Sequence, residues 1–230
     1  MRRLLVVALA SFAAAGCGTA TGFDRGAMHS QVADPHVVTE DDIKRALDAK
    51  PQLPSPFRLA IHLVPPVQEA NGRGKWRWLR EDKQTLLDAV ASMKAKGALS
   101  NAFVIDPGSV EGDDNRAVRL AAARAGADAV LVVRGTGATD RSNNVLCVTY
   151  ILLVPALFVP GSEIDALFLT SASLWDVRNQ YLYLSAEAEG TAHQTRPGAF
   201  MNENAALTES KHDALIALAG EVSTRLAAMR

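Results

Sequence analysis

Residues 57–66 read FRLAIHLVPP and residues 125–134 read AGADAVLVVR. In the first stretch Phe57, Leu59, Ile61 and Leu63 alternate with Arg58, Ala60, His62 and Val64, the period of a strand, and Pro65 and Pro66 close it. In the second, Ala129 to Val133 is apolar without interruption, as in a strand covered on both faces. Between them Leu79, Leu86, Leu87, Val90 and Met93 recur at helical spacing with Gly97 as a stop, which predicts a helix from Leu79 to Lys96. Ala102 to Ile105 reads as a short buried strand ended by Asp106-Pro107-Gly108, and Asn115 to Ala125 as a second helix closed by Gly126. Three apolar strands separated by two amphipathic helices predict a βαβαβ unit with parallel strands.

The second half changes character. Asp140 to Asn144 reads as a polar turn, Val145 to Val159 is nearly all apolar, and Pro160-Gly161 turns the chain again. Ala166 to Val177 and Tyr181 to Gly190 read as a hairpin about Arg178-Asn179-Gln180. In the second arm Leu182, Leu184, Ala186 and Ala188 alternate with Tyr181, Tyr183, Ser185, Glu187 and Glu189, so one face is buried and the other wetted. Leu207, Ala214, Leu215, Leu218, Val222, Leu226 and Met229 form the stripe of a long final helix. The expectation is a single α/β domain over 57–230, with one mixed sheet and elements in the order β-α-β-α-β-β-β-β-α. Within it, Val145 to Val159 is either a central buried strand running into a covered turn or an exposed apolar flap that self-associates or contacts lipid.

The N-terminus gives an address. Arg2 and Arg3 precede an apolar run from Leu4 to Ala15, and Ala14-Ala15-Gly16-Cys17 follows, which is the layout of a secretory signal with a lipid-accepting cysteine. The run is shorter than the roughly 20 residues needed to span a bilayer. Residues 1–16 are therefore expected to be a lipoprotein signal peptide, and residues 17–56 a lipidated N-terminus and flexible tether. Cleavage after Ala13-Ala14-Ala15, releasing a soluble protein, is the alternative. Gly18 stands after Cys17 where aspartate would retain a bacterial lipoprotein at the inner membrane, so the expected site is the outer membrane, facing the periplasm. Inside the tether, Thr39 and Asp42 are spaced as a capping box for a short helix from Thr39 to Ala49, and Pro51, Pro54 and Pro56 stop it.

Cleavage before Cys17 lowers Lys plus Arg from 24 to 22 against 25 Asp plus Glu, a net charge of −3, which offers nucleic acid no general attraction. With Cys17 acylated, Cys147 is the last thiol and has no partner for an intramolecular disulfide; its apolar setting suits a small buried side chain. The five histidines are scattered, and neither an HExxH pair nor a G-x-S-x-G elbow is present. Gly135-Thr136-Gly137 lacks the Lys and Ser/Thr of a phosphate loop and reads as a turn. Glu111, Asp113 and Asp114 lack calcium-loop spacing and fit the acidic start of a helix. The stretch 73–80, RGKWRWLR, interleaves cations with Trp76 and Trp78, the candidate partner surface; indoles folded onto the sheet edge are the simpler reading.

LPSPFRLAIHLVPP (53–66), AGADAVLVVR (125–134) and DALFLTSASLWDVRNQYLY (165–183), with the signal and Cys17, resemble the rhombotarget lipoproteins. The element order is also similar to the periplasmic domains of TolB N-terminal and CsgG-like lipoproteins. The resemblance implies a cell-envelope lipoprotein of poorly defined function. The CsgG likeness implies, as a third option for Val145 to Val159, a hairpin that inserts into a membrane, although transmembrane strands alternate and this run does not. The expected role is noncatalytic: a binding or assembly module with no cofactor, held to the membrane by its lipid and contacting an envelope protein. An envelope hydrolase with a site built from distant residues and an oligomeric pore accessory are the alternatives.

Overall fold

The structure, a computed structural model, describes residues 19–33, 38–66, 76–112, 114–144, 146 and 159–229. The chain enters through α1 (Arg25–Val32) and α2 (Glu40–Asp48). It then forms β1 (Phe57–Leu63), α3 (Arg80–Ala95), β2 (Leu99–Val104), α4 (Asn115–Arg124) and β3 (Ala129–Asn143). A meander of β4 (Ser162–Asp176) and β5 (Leu182–Arg196) leads to the 26-residue helix α5 (Glu203–Ala228).

These strands make one mixed sheet in the order β2-β1-β3-β4-β5. β1 runs parallel to both neighbours, with Leu59 to Leu63 opposite Ala129 to Val133, and β3, β4 and β5 are antiparallel. The chain steps one way across the sheet from β1 to β2 and the other way from β2 to β3. Right-handed crossovers then require the two connecting helices to lie on opposite faces. The packing agrees. Leu59, Ile61 and Leu63 meet Leu86 and Val90 of α3 and Leu215 and Leu218 of α5, while Ala60, Val130 and Val132 meet Val118 and Ala122 of α4. Leu59 and Ile61 are fully buried, each contributing on the order of 1.5–3 kcal/mol by removal from water.

The single α/β domain with a mixed sheet is as the hydrophobic periods predict, and the differences lie at strand ends. β3 continues ten residues past Val133, so Gly135-Thr136-Gly137 is mid-strand rather than a turn, and the expected polar turn at Asp140 to Asn144 is strand as far as Asn143. Polar residues continue this strand because other segments partner them: Thr136 donates to Gln31 Oε1 (2.5 Å), and Asp140 accepts from Thr21 and Gly22. The two glycines are there for space. A Cβ on Gly135 would stand 2.8 Å from Phe168, and one on Gly137 would stand 2.6 Å from Leu207. β4 begins four residues before Ala166, and β5 runs six past Gly190. Of the Val145 to Val159 run, only residues 146 and 159 are among the described residues, and the strand expected there, like Cys147, lies outside them.

The segment read as a tether holds two helices. α2 carries the capping box as spaced in the sequence, Thr39 N–H donating to Asp42 (2.9 Å) and Asp42 N–H to Thr39 (3.2 Å), and buries none of its side chains. α1 is unannounced by any long apolar pattern. It docks on the sheet through Met28 and Val32, one turn apart, with Met28 against Leu167 and Leu169.

Candidate functional site

At the end of the sheet where β1 begins, an open groove of about 730 Å³ lies between the segment preceding β1 and the last turns of α3 and α5. Leu53, Phe57, Met93, Tyr181, Tyr183 and Leu226 are among its lining, together with Ser55 and Lys96. That volume is in the range of small-molecule and peptide-anchor sites.

Tyr183 organises the groove. Its hydroxyl donates to Asp176 (2.9 Å) and accepts from the backbone N–H of Gln52 (2.8 Å) and Leu53 (3.1 Å). Burial first, and the hydrogen bond to Asp176 second, push the Tyr183 phenol above its ordinary pKa, so it stays protonated as a structural donor. Asp176 is fully buried and also accepts from Arg178 N–H (2.8 Å). Behind it, the Arg119 guanidinium donates to the carbonyls of Asp176 (3.2 Å) and Val177 (2.7 Å), with its pKa lowered by burial. Asn179 donates to Lys50 C=O (2.5 Å), pinning the start of the 51–56 wall. These polar groups hold the wall. The open surface combines apolar side chains and two tyrosine rings, whose centroids are 4.9 Å apart, with the polar groups of Ser55 and Lys96.

Trp76 and Trp78 are placed elsewhere. Both are half-buried and pack edge-on against Phe168, with centroids 4.9 and 6.2 Å away, and against each other at 4.8 Å. Trp78 Nε1–H donates to Val64 C=O (2.7 Å). Beneath them Lys211 of α5 forms a buried ion pair with Asp82 (2.5 Å) and donates to Arg77 C=O (2.8 Å), fixing the loop that carries both indoles. Lys211 and Leu226 are fifteen residues apart on one helix, so the tryptophans and the groove are separated by roughly 22 Å. The structure does not bring them together.

Cys17 and Asp113 lie outside the described residues. Asp114 caps α4 by accepting from Ala117 N–H (2.8 Å), the role expected of helix-start acidity. His193 pairs with Asp165 (2.8 Å) and His29 with Glu187 (2.7 Å), at separate places. Among the described residues, no three histidine, cysteine or acidic side chains gather as metal ligands, and no helix is long and apolar enough to cross a membrane. The sequence reading missed the groove. Its one visible trace is the pair Tyr181 and Tyr183 beside the hairpin turn.

No family model and no curated protein matches the chain. Several solved structures are similar in fold. A minor lipoprotein from Acinetobacter baumannii is 11% identical at a TM-score of 0.35, over 75% of this chain and 94% of that one. A lipoprotein from Neisseria meningitidis is 17% identical at 0.32, over 74% and 99%. A PelC dodecamer from Paraburkholderia phytofirmans is 13% identical at 0.32, over 77% and 92%. At this distance they carry no activity over to this chain, whose function is argued from its own residues.

Proposed function

We propose that this chain is a cell-envelope lipoprotein, acylated at Cys17 and facing the periplasm from the outer membrane, that acts without catalysis by binding an apolar segment of another envelope protein. The address is supported by Arg2, Arg3, the apolar run to Ala15 and the small residues before Cys17. Acyl chains contribute about 0.8 kcal/mol per buried CH₂, and two or more together make release from a membrane rare. Membership of the rhombotarget lipoproteins is part of this reading and rests on the three segments quoted above.

The observation that carries the binding role is the groove beside Tyr183: a concavity with Leu53, Phe57, Met93, Leu226 and two tyrosine rings in its wall and Ser55 and Lys96 among its polar groups, of a size to hold a side chain or chain segment. Tethering raises the local concentration of such a binder towards its neighbours in the same envelope. A photoreactive residue placed at Met229, on the groove rim, is expected to crosslink an envelope protein in intact cells, and one at Ile216, exposed at the middle of α5, is not. Equal labelling from both positions, or none from Met229, contradicts the assignment. Trp76 and Trp78 are proposed as a second contact surface, tested by their joint replacement with alanine. Unchanged partners in a pull-down of the acylated protein remove that surface.

A further inference from the structure

The N-terminal segment is clamped to the end of the sheet opposite the groove. Asp140, three residues from the end of β3 and 9% exposed, accepts from Thr21 N–H (2.7 Å), Gly22 N–H (2.7 Å) and Thr21 Oγ1–H (3.2 Å). Ser171 Oγ–H donates to Val32 C=O (3.1 Å) at the far end of α1, so the segment is held at both ends. Thr21 follows Cys17 by four residues, a chain length of at most roughly 14 Å. Chain length alone therefore keeps Cys17 within that reach of Thr21.

Exposed apolar and cationic side chains gather at that end. Asn143, Ser162 and Arg196 stand side by side in register across β3, β4 and β5. Just beyond them Phe200 and Leu146 are 58% and 43% exposed, and Arg141 and Arg196 are exposed beside them. Two carboxylates nearby are engaged within the protein, Glu163 by Asn144 (3.0 Å) and Asp165 by His193. The sequence joining β3 to β4 has no charged residue from Val145 to Val159, and it leaves and re-enters the sheet here.

We propose that this end of the sheet is a lipid-docking surface. Phe200 and Leu146 enter the headgroup boundary of a phospholipid bilayer, Arg141 and Arg196 pair with its phosphates, and the Asp140 clamp holds the domain upright on its anchor. The proposal rests on acylation of Cys17. β3 is fifteen residues long, so docking sets the groove roughly 45 Å from the bilayer, facing the periplasm. A chain from Cys17 to Pro56 held neither by Asp140 nor by the docking of α1 would let the domain take any orientation.

The test uses the full acylated chain in phosphatidylcholine–phosphatidylglycerol vesicles containing a nitroxide-headgroup lipid. Cys147→Ser removes the remaining thiol, and a fluorophore is attached through Ala199→Cys at the docking end or Lys94→Cys at the groove end. Quenching is expected to be several-fold stronger at 199 than at 94. Phe200→Ser with Leu146→Ser, both surface changes, should shrink the difference, and Asp140→Ala, which releases Thr21 and Gly22 while α1 stays docked, should shrink it in part. Equal quenching at the two positions of an acylated chain overturns the docking surface while leaving the anchor intact. A chain whose mass shows no acyl group, and which fails to sediment with the vesicles, overturns the anchor and the orientation with it.

Discussion

Tyr183 joins two parts of the chain that are 130 residues apart, through Leu53 N–H, and shields Asp176 from being left without its donor. Removing the hydroxyl leaves a buried carboxyl oxygen and two backbone donors short of a partner, so Tyr183→Phe should cost about 1–3 kcal/mol. The urea midpoint reads that loss, and faster amide exchange at Gln52 and Leu53 locates it in the groove wall. Asp140 makes a pH-dependent contact. The Gly22 amide first, then Thr21, hold its pKa below the ordinary carboxylate value. A carboxylate with a depressed native pKa contributes its full stabilisation above the unfolded pKa and loses it as pH falls through the native one. Exchange protection at Thr21 and Gly22 should therefore persist at neutral pH and disappear on acidification below the ordinary carboxylate range, while Asp140→Ala lacks it throughout. Neither residue was legible in the sequence. Each acts on a segment more than a hundred residues away, and no local pattern encodes such a pairing.

Between elements, α5 packs on β5 with no room to spare at Gly190. A Cβ on Gly190 would stand 2.1 Å from Ser210 O and 2.4 Å from Ala214 N, backbone atoms that cannot rotate aside. Gly190→Ala should push the helix off the sheet and lower stability by about 1–3 kcal/mol or more, visible as a fall in Tm. The Lys211 and Asp82 side chains are only 3% and 5% exposed, so Lys211→Met should cost about 3–5 kcal/mol by stranding a buried carboxylate. Lys211→Met with Asp82→Leu should recover most of that loss. A double mutant as unstable as the single would show that the pair does more than cancel its own charges. Sequence periods located these elements well, because Leu215, Leu218, Val222 and Leu226 fall on one helical face whatever they pack against. Strand ends were less legible. β3 continues past Val133 through two glycines and an aspartate, residues depleted in strands and retained here by Phe168, Leu207 and the docked N-terminal segment. α1 was missed for a related reason, since two buried side chains anchor it and two do not make a period.

At the scale of the whole molecule, the mixed sheet separates two ends. One receives the N-terminal segment at Asp140, and the other opens as the groove between the 51–56 wall, α3, β5 and α5. The α/β class was legible because a strand covered on both faces loses its alternation, as Ala129 to Val133 of β3 does, while a solvated one keeps it, as β5 does. The groove was not, because four stretches distant in sequence build it and each looks like an ordinary loop or helix end. The Trp76 and Trp78 rings fold onto the sheet against Phe168 of β4, the simpler of the two readings their sequence allowed. The account as a whole depends on where the body is attached. Mass spectrometry of the N-terminal peptide from protein taken out of native membranes decides it: a peptide beginning at Cys17 and carrying a diacylglyceryl thioether is expected. An unmodified thiol, a retained leader, or an N-terminus produced by cleavage elsewhere would contradict the anchored binder.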